Sequence, residues 1–120
     1  MEEIEKIFTT NEPELELIKY ENQTAIFQLL DCDGYRLGKL IFEDVIGISI
    51  TTRWQCYKSI IFYGKESAKE FGLMEDSIPK EHSLYAFIPI VDDDFSLFQS
   101  KKGFVVCKNV VYETETNLGR

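Results

Sequence analysis

The run TAIFQLLDCDGYRLGKLIF, Thr24 to Phe42, sets the class of the fold. In Thr24–Leu30, Ala25, Phe27 and Leu29 alternate with Ile26, Gln28 and Leu30, so both faces of an extended segment are largely apolar. That pattern suits a strand in the middle of a sheet. Asp33-Gly34 follows, a pair that tolerates the positive φ of a tight hairpin turn. Leu37–Phe42 then returns as the second strand of the hairpin.

Upstream, Ile4, Ile7 and Phe8 stand at helical spacing and predict a short helix over residues 2–8, ending near Thr9-Thr10-Asn11. Pro13 favours an extended start for Glu14–Tyr20, a strand with Leu15 and Leu17 on one face. The polar run Glu21-Asn22-Gln23 turns the chain into Thr24.

Downstream, Glu43-Asp44 breaks the pattern. Val45–Thr51 resumes it, with Ile46, Ile48 and Ile50 on one face. Gly47 and Ser49 on the other face are small enough for something to pack closely there. Gln55–Tyr63 is rich in β-branched and aromatic residues and reads as a strand closed by Gly64. Ser67 and Glu70 fit a capping box for a short helix that stops at Gly72. Residues 75–83 read as a loop. Leu84–Val91 is the most apolar strand, and its Pro89, lacking an N–H, belongs at an edge or a bulge. Phe95–Gln99 and Gly103–Tyr112 are the last strands, before a tail that frays from about residue 114.

These elements predict one mainly β domain spanning residues 1–120, with α+β as a variant. It holds about eight antiparallel strands in a meander and one or two short helices. Each sheet must bury one apolar face, so a sandwich or a rolled barrel follows.

The 120 residues carry 21 acids against 13 bases, a formal charge of −8. An acidic surface disfavours binding to nucleic-acid phosphates and to anionic membranes. It favours solubility and steering toward a basic partner. The first 21 residues hold seven glutamates and only Lys6 and Lys19 to offset them. This segment suits a cationic partner, or else an edge strand blunted by charge.

Cys32, Cys56 and Cys107 are odd in number and widely spaced. With no basic, apolar leader at MEEIEKIF, they point to a reducing cytoplasm and to buried thiols. The longest apolar run, LYAFIPIV from Leu84 to Val91, is far shorter than the ~20 residues of a spanning helix.

Motifs that carry chemistry are sparse. Asp92, Asp93 and Asp94 are the weak metal candidates. Consecutive strand residues point to opposite sides, so a hairpin turn between LYAFIPIV and FSLF explains them better than a Ca²⁺ site. Asp31-Cys32-Asp33-Gly34 opens like a calcium loop but lacks its later acidic ligands. His82 is the single histidine and reads as a surface loop residue. There is no nucleophile elbow and no glycine-rich phosphate loop, and no cofactor is implied.

Two stretches remain as interface candidates. One is the basic-aromatic cluster Arg53, Trp54, Tyr57 and Lys58, of residue types enriched at binding hot spots. The other is the acidic strand region with Glu12, Glu14 and Glu16.

The run YENQTAIFQLLDCDGYRLGKLIFEDVIGISI, with Ile41-Phe42-Glu43-Asp44-Val45 leading into a strand, resembles small bacterial immunity proteins of toxin systems. That resemblance covers about a quarter of the chain. It implies a small, acidic, cytoplasmic, β-rich protein without catalytic residues. The first expectation is thus a non-enzymatic protein-binding module, an antidote occluding a partner that carries a basic toxin domain. The alternatives are a small-ligand-binding β-barrel, a small hydrolase or isomerase of unknown substrate, and an adaptor that pairs through an exposed strand edge. Pairing through the apolar strand 84–91 would give a homodimer.

Overall fold

The computed structural model describes residues 2–31, 33–50, 57–63, 65–89 and 103–114. Helix α1 (Glu2–Asn11) precedes β1 (Glu14–Glu21), β2 (Thr24–Leu30), β3 (Arg36–Glu43), β4 (Gly47–Ser49) and β5 (Tyr57–Tyr63). Two 3-10 segments, Lys65–Phe71 and Glu75–Ser77, lead to β6 (Ser83–Pro89), β7 (Gly103–Cys107) and β8 (Asn109–Thr114). The protein is mainly β, as its residue pattern predicts. Its strands form two antiparallel sheets that do not close into a barrel.

Sheet A has the order β1-β2-β3-β8 and sheet B the order β4-β7-β6-β5. The meander holds within β1–β3 and within β5–β7, while β3 with β8 and β4 with β7 are non-sequential pairs. β2 lies between two strands, which its apolar faces require. Its turn is tight, with Asn22 and Gln23 at φ 51° and 62°. The next turn uses Asp31 as its scaffold. An Asp31 carboxylate oxygen accepts from the N–H groups of Asp33 and Tyr35, both at 2.9 Å. Gly34 sits at φ 86°. This carboxylate thus serves the turn.

The run Gly103–Tyr112 is not one strand. It breaks at Lys108, and its halves join different sheets. Opposite the break, β3 passes into β4 through Asp44, Val45 and Ile46. Glu43 pairs with Asn109 and Gly47 with Val106, so the β3–β4 side holds one residue more than its partner. That is the count of a β-bulge, which bends a ladder. Asp44 takes φ 57° there. The ladder survives the bend, since Lys108 N–H donates to Glu43 O at 3.0 Å and Ile46 N–H to Val106 O at 2.9 Å. The bulge also shifts the burial phase. Val45 is buried and Ile46 is exposed, so the predicted Ile46-Ile48-Ile50 face does not hold at its first member. Among the described residues of the predicted strand 45–51, Gly47–Ser49 form the paired strand. A Cβ at Gly47 would lie 3.7 Å from the Phe104 ring, an ordinary contact, so the expected close packing does not demand a glycine there.

The inner faces of the two sheets bury Leu15, Phe27, Leu29, Leu40 and Phe42 against Tyr57, Ile60, Tyr85, Phe87 and Val105. Helix α1, which ends at Asn11 within the expected Thr9-Thr10-Asn11 stretch, adds Ile4 and Phe8. Phe87 is the hub. Its ring meets those of Phe8, Phe42 and Tyr57 at 5.9, 5.9 and 5.7 Å. Tilted and edge-to-face geometry at this range suits aromatic quadrupoles.

Sheet B is also covered on its other side. Leu84 and Val106 pack there with Ala68 and Ile78. Phe71 meets Phe104 at 5.5 Å. This double burial explains why β6 is the most apolar strand. β6 lies inside sheet B, between β7 and β5, so it offers no free edge for a homodimer. Pro89 stands at its end, beside a register shift between Tyr57 and Ser59, in keeping with the bulge alternative. The predicted strand 95–99, the region beyond residue 114 and the Ser67 side chain of the capping box lie outside the described residues. Gly72 follows the first 3-10 segment with φ 76°, as its stop position requires.

Candidate interaction surface on the first strand

β1 is the terminal strand of sheet A. Its first residues are held from both sides. Leu15 is buried, and the Tyr57 N–H donates to the Pro13 carbonyl at 3.0 Å. Beyond this point the strand emerges. Leu17, Ile18 and Tyr20 are 42 %, 49 % and 47 % exposed. Leu17 pairs with Phe27 and Tyr20 with Ala25, so both side chains lie on the core side of the sheet, past the rim of what covers it. Ile18 falls at a shift in register between Leu17 and Lys19, a bulge that twists the strand. Leu17 and Tyr20 thus share one face of the edge strand, with Ile18 exposed at the bulge between them.

Carboxylates stand along the same strand. Glu16 and Glu21 are exposed on β1. Lys19 is already engaged by Glu21 at 3.2 Å. Glu12 is exposed just before the strand and caps α1 in a left-handed conformation, φ 47°, donating its N–H to Phe8 O at 2.9 Å. Glu14 is half-buried. The acidic candidates Glu12, Glu14 and Glu16 therefore lie on, or just before, one edge strand.

The basic-aromatic cluster fares differently. Tyr57 has no exposed surface and belongs to the core. Its position at the head of β5, facing Phe87, overrides the interface expectation. Arg53, Trp54, Asp92, Asp93 and Asp94 lie outside the described residues, as does the side chain of Lys58.

The outer face of sheet A carries a second feature. Ile26, Ile41 and Val111 stand directly across from one another, with Lys19 next in the row. Near the β1–β2 turn, Lys19, Glu21, Asn22, Thr24 and Ile26 line an open depression of about 200 Å³. This is below the roughly 300 Å³ at which small-molecule sites begin.

His82 is not a surface residue. It is 9 % exposed, and its Nε2 donates to the Asp44 carbonyl at 3.1 Å. The side chain folds from the start of β6 onto the bulge between the sheets. It and Gln28, whose Nε2 donates to Gly38 O at 2.7 Å, are buried polar groups that a two-residue period cannot reveal. Cys107 lies close by in the core. Burial first, then the carboxylates of Asp44 and Glu43, push its thiol up to about 12. Such a thiol is a poor nucleophile. It donates weakly to Asn109 O at 3.6 Å.

Among the described residues, no three His, Cys, Asp or Glu side chains converge as a metal site. Nor is any described helix long and apolar enough to cross a membrane. Comparison with protein-family models, curated proteins and solved structures yields no match.

Proposed function

We propose that this protein is a non-enzymatic binding module that occludes a basic surface of a partner protein, in the manner of an antidote to a toxin domain. The observation that carries the reading is the exposure of Leu17, Ile18 and Tyr20 on the edge strand of sheet A, which carries Glu16 and Glu21 on the face opposite Leu17 and Tyr20. Clusters of exposed large apolar side chains mark protein contacts. The overall charge of −8 supplies long-range attraction to a cationic surface. The resemblance of residues 20–50 to immunity proteins supports the antidote form of the reading.

The test is affinity capture from the native host at low and high salt, followed by reconstitution with the purified partner. A stoichiometric partner released by salt, whose toxic activity is blocked at one-to-one ratio, is the expected result. Neutralising Glu12, Glu14 and Glu16 together should slow association. Unchanged association kinetics would remove this segment from the steering mechanism, and recovery of no partner would overturn the reading.

A further inference from the structure

We infer that the open edge of β1 receives, as an added strand, a short extended segment of a partner protein in which basic side chains alternate with apolar ones. This rests on the binding-module reading and specifies how its partner engages.

The edge comes first. β1 pairs only with β2 among the described strands. Every second residue of an antiparallel edge strand directs its N–H and C=O away from its neighbour, ready for another chain. The Tyr57 N–H donates to the Pro13 carbonyl just before the strand, and every side chain from Glu16 to Glu21 is exposed.

The side chains then define the occupant. Leu17 and Tyr20 extend the core face of the sheet outward, so an added strand with apolar residues on that side would bury them. On the opposite face, Glu16 pairs with Gln28 and Glu21 with Thr24. Basic side chains on that face of the added strand would stand beside these carboxylates. On that face Glu21 already neutralises Lys19 at 3.2 Å, so the charge that selects a basic side chain is chiefly that of Glu16. The same charges argue against a second copy of this chain, which would bring Glu14, Glu16 and Glu21 against themselves. The bulge at Ile18 twists the edge, so a long flat strand fits poorly and a short one is selected.

The probes are three short capped peptides: alternating Lys and Val, the same peptide N-methylated at every second residue, and alternating Glu and Val. Binding is read by fluorescence anisotropy, and the footprint by backbone amide shifts of the labelled full-length protein. The Lys/Val peptide is expected to bind with shifts centred on residues 16–21. N-methylation, which keeps the charge and removes pairing donors, should weaken binding at least tenfold. The Glu/Val peptide should not bind. Glu16→Lys, at an exposed position, should weaken Lys/Val binding severalfold, with Leu17→Lys as a second variant. Equal binding of the N-methylated peptide would overturn strand addition, as would shifts centred elsewhere or no binding of the Lys/Val peptide. A captured partner that the Lys/Val peptide fails to displace would also overturn strand addition, while leaving the binding-module reading standing.

Discussion

The Tyr57 backbone N–H donates to the Pro13 carbonyl at 3.0 Å, tying the head of β5 in sheet B to the residue before β1 in sheet A. Beside it, Leu15 and Tyr57 are buried to zero exposure. From Glu16 to Glu21 the side chains of β1 are exposed, and among the described strands β1 pairs with β2 alone.

Phe87 should be the most sensitive core position. Its ring touches three other aromatic rings drawn from α1, β3 and β5. Phe87→Ala is expected to cost about 4 kcal/mol through lost transfer energy and the cavity left behind. Chemical denaturation would measure it. A loss below about 1 kcal/mol would show that this ring cluster does not hold the sheets together.

Gly38 and Gly34 should separate two glycine effects. A Cβ at Gly38 would lie 2.6 Å from the Tyr112 hydroxyl and 2.7 Å from the Glu113 carbonyl oxygen. The Tyr112 hydroxyl is fixed by donation to Leu37 O at 2.8 Å. Gly38→Ala should therefore cost well over 1 kcal/mol, and Tyr112→Phe should not rescue it, because the backbone clash remains. Gly34, at φ 86°, has open space, so Gly34→Ala should cost only about 1 kcal/mol from backbone strain. Thermal denaturation of the three variants and the double variant decides the point.

Glu12→Gly should raise stability and lower association rate together. Glu12 occupies the left-handed residue after α1, where glycine is favoured by about 1 kcal/mol. The substitution also removes a carboxylate beside the proposed docking edge. A melting shift upward, with slower binding to the reconstituted partner, is the expected pair of results.

Alkaline pH should destabilise the fold through Cys107. Its thiol is held at about 12 in the folded protein, above its ordinary value of 9.0. Such an acid stabilises the fold below its unfolded pKa, and that contribution is lost as pH rises toward the folded value. Tyr85, raised mainly by burial and then by Cys107, acts in the same direction. Unfolding free energy measured from pH 8 upward should fall from about pH 9. In Cys107→Ala the fall should be shallower. Identical slopes in the two proteins would exclude the thiol as its source.

His82 should act as a pin between β6 and the inter-sheet bulge. His82→Ala removes a buried ring and the donor to Asp44 O, so a loss of about 2 kcal/mol is expected. Amide exchange at Val45 and Ile46 should accelerate in the variant. Protection unchanged at both residues would show that the bulge holds without it.

Much of the fold was legible in local pattern. Thr24–Leu30 matches its strand residue for residue, because apolar faces on both sides record burial in mid-sheet. The turns at Asn22-Gln23 and Gly34 follow from their sequence, since turn chemistry is local. The acidic edge was legible as charge, but its apolar companions were not. Leu17 sits in register with Phe27 and looks like core, and only the limited reach of sheet B leaves it exposed.

The sequence by itself determined that this chain is built of antiparallel strands, where several of them turn, and that it carries an acidic surface. Tertiary structure alone decided that Gly103–Tyr112 breaks at Lys108 to serve two sheets, that Tyr57 and His82 are buried, and that β1 rather than the apolar β6 is left at an edge. The physical reason is one of range. Alternation and turn propensity are set by neighbours a few residues apart. The bend of a continuous β run, and the covering of a side chain, depend on segments that meet only when the sheets pack.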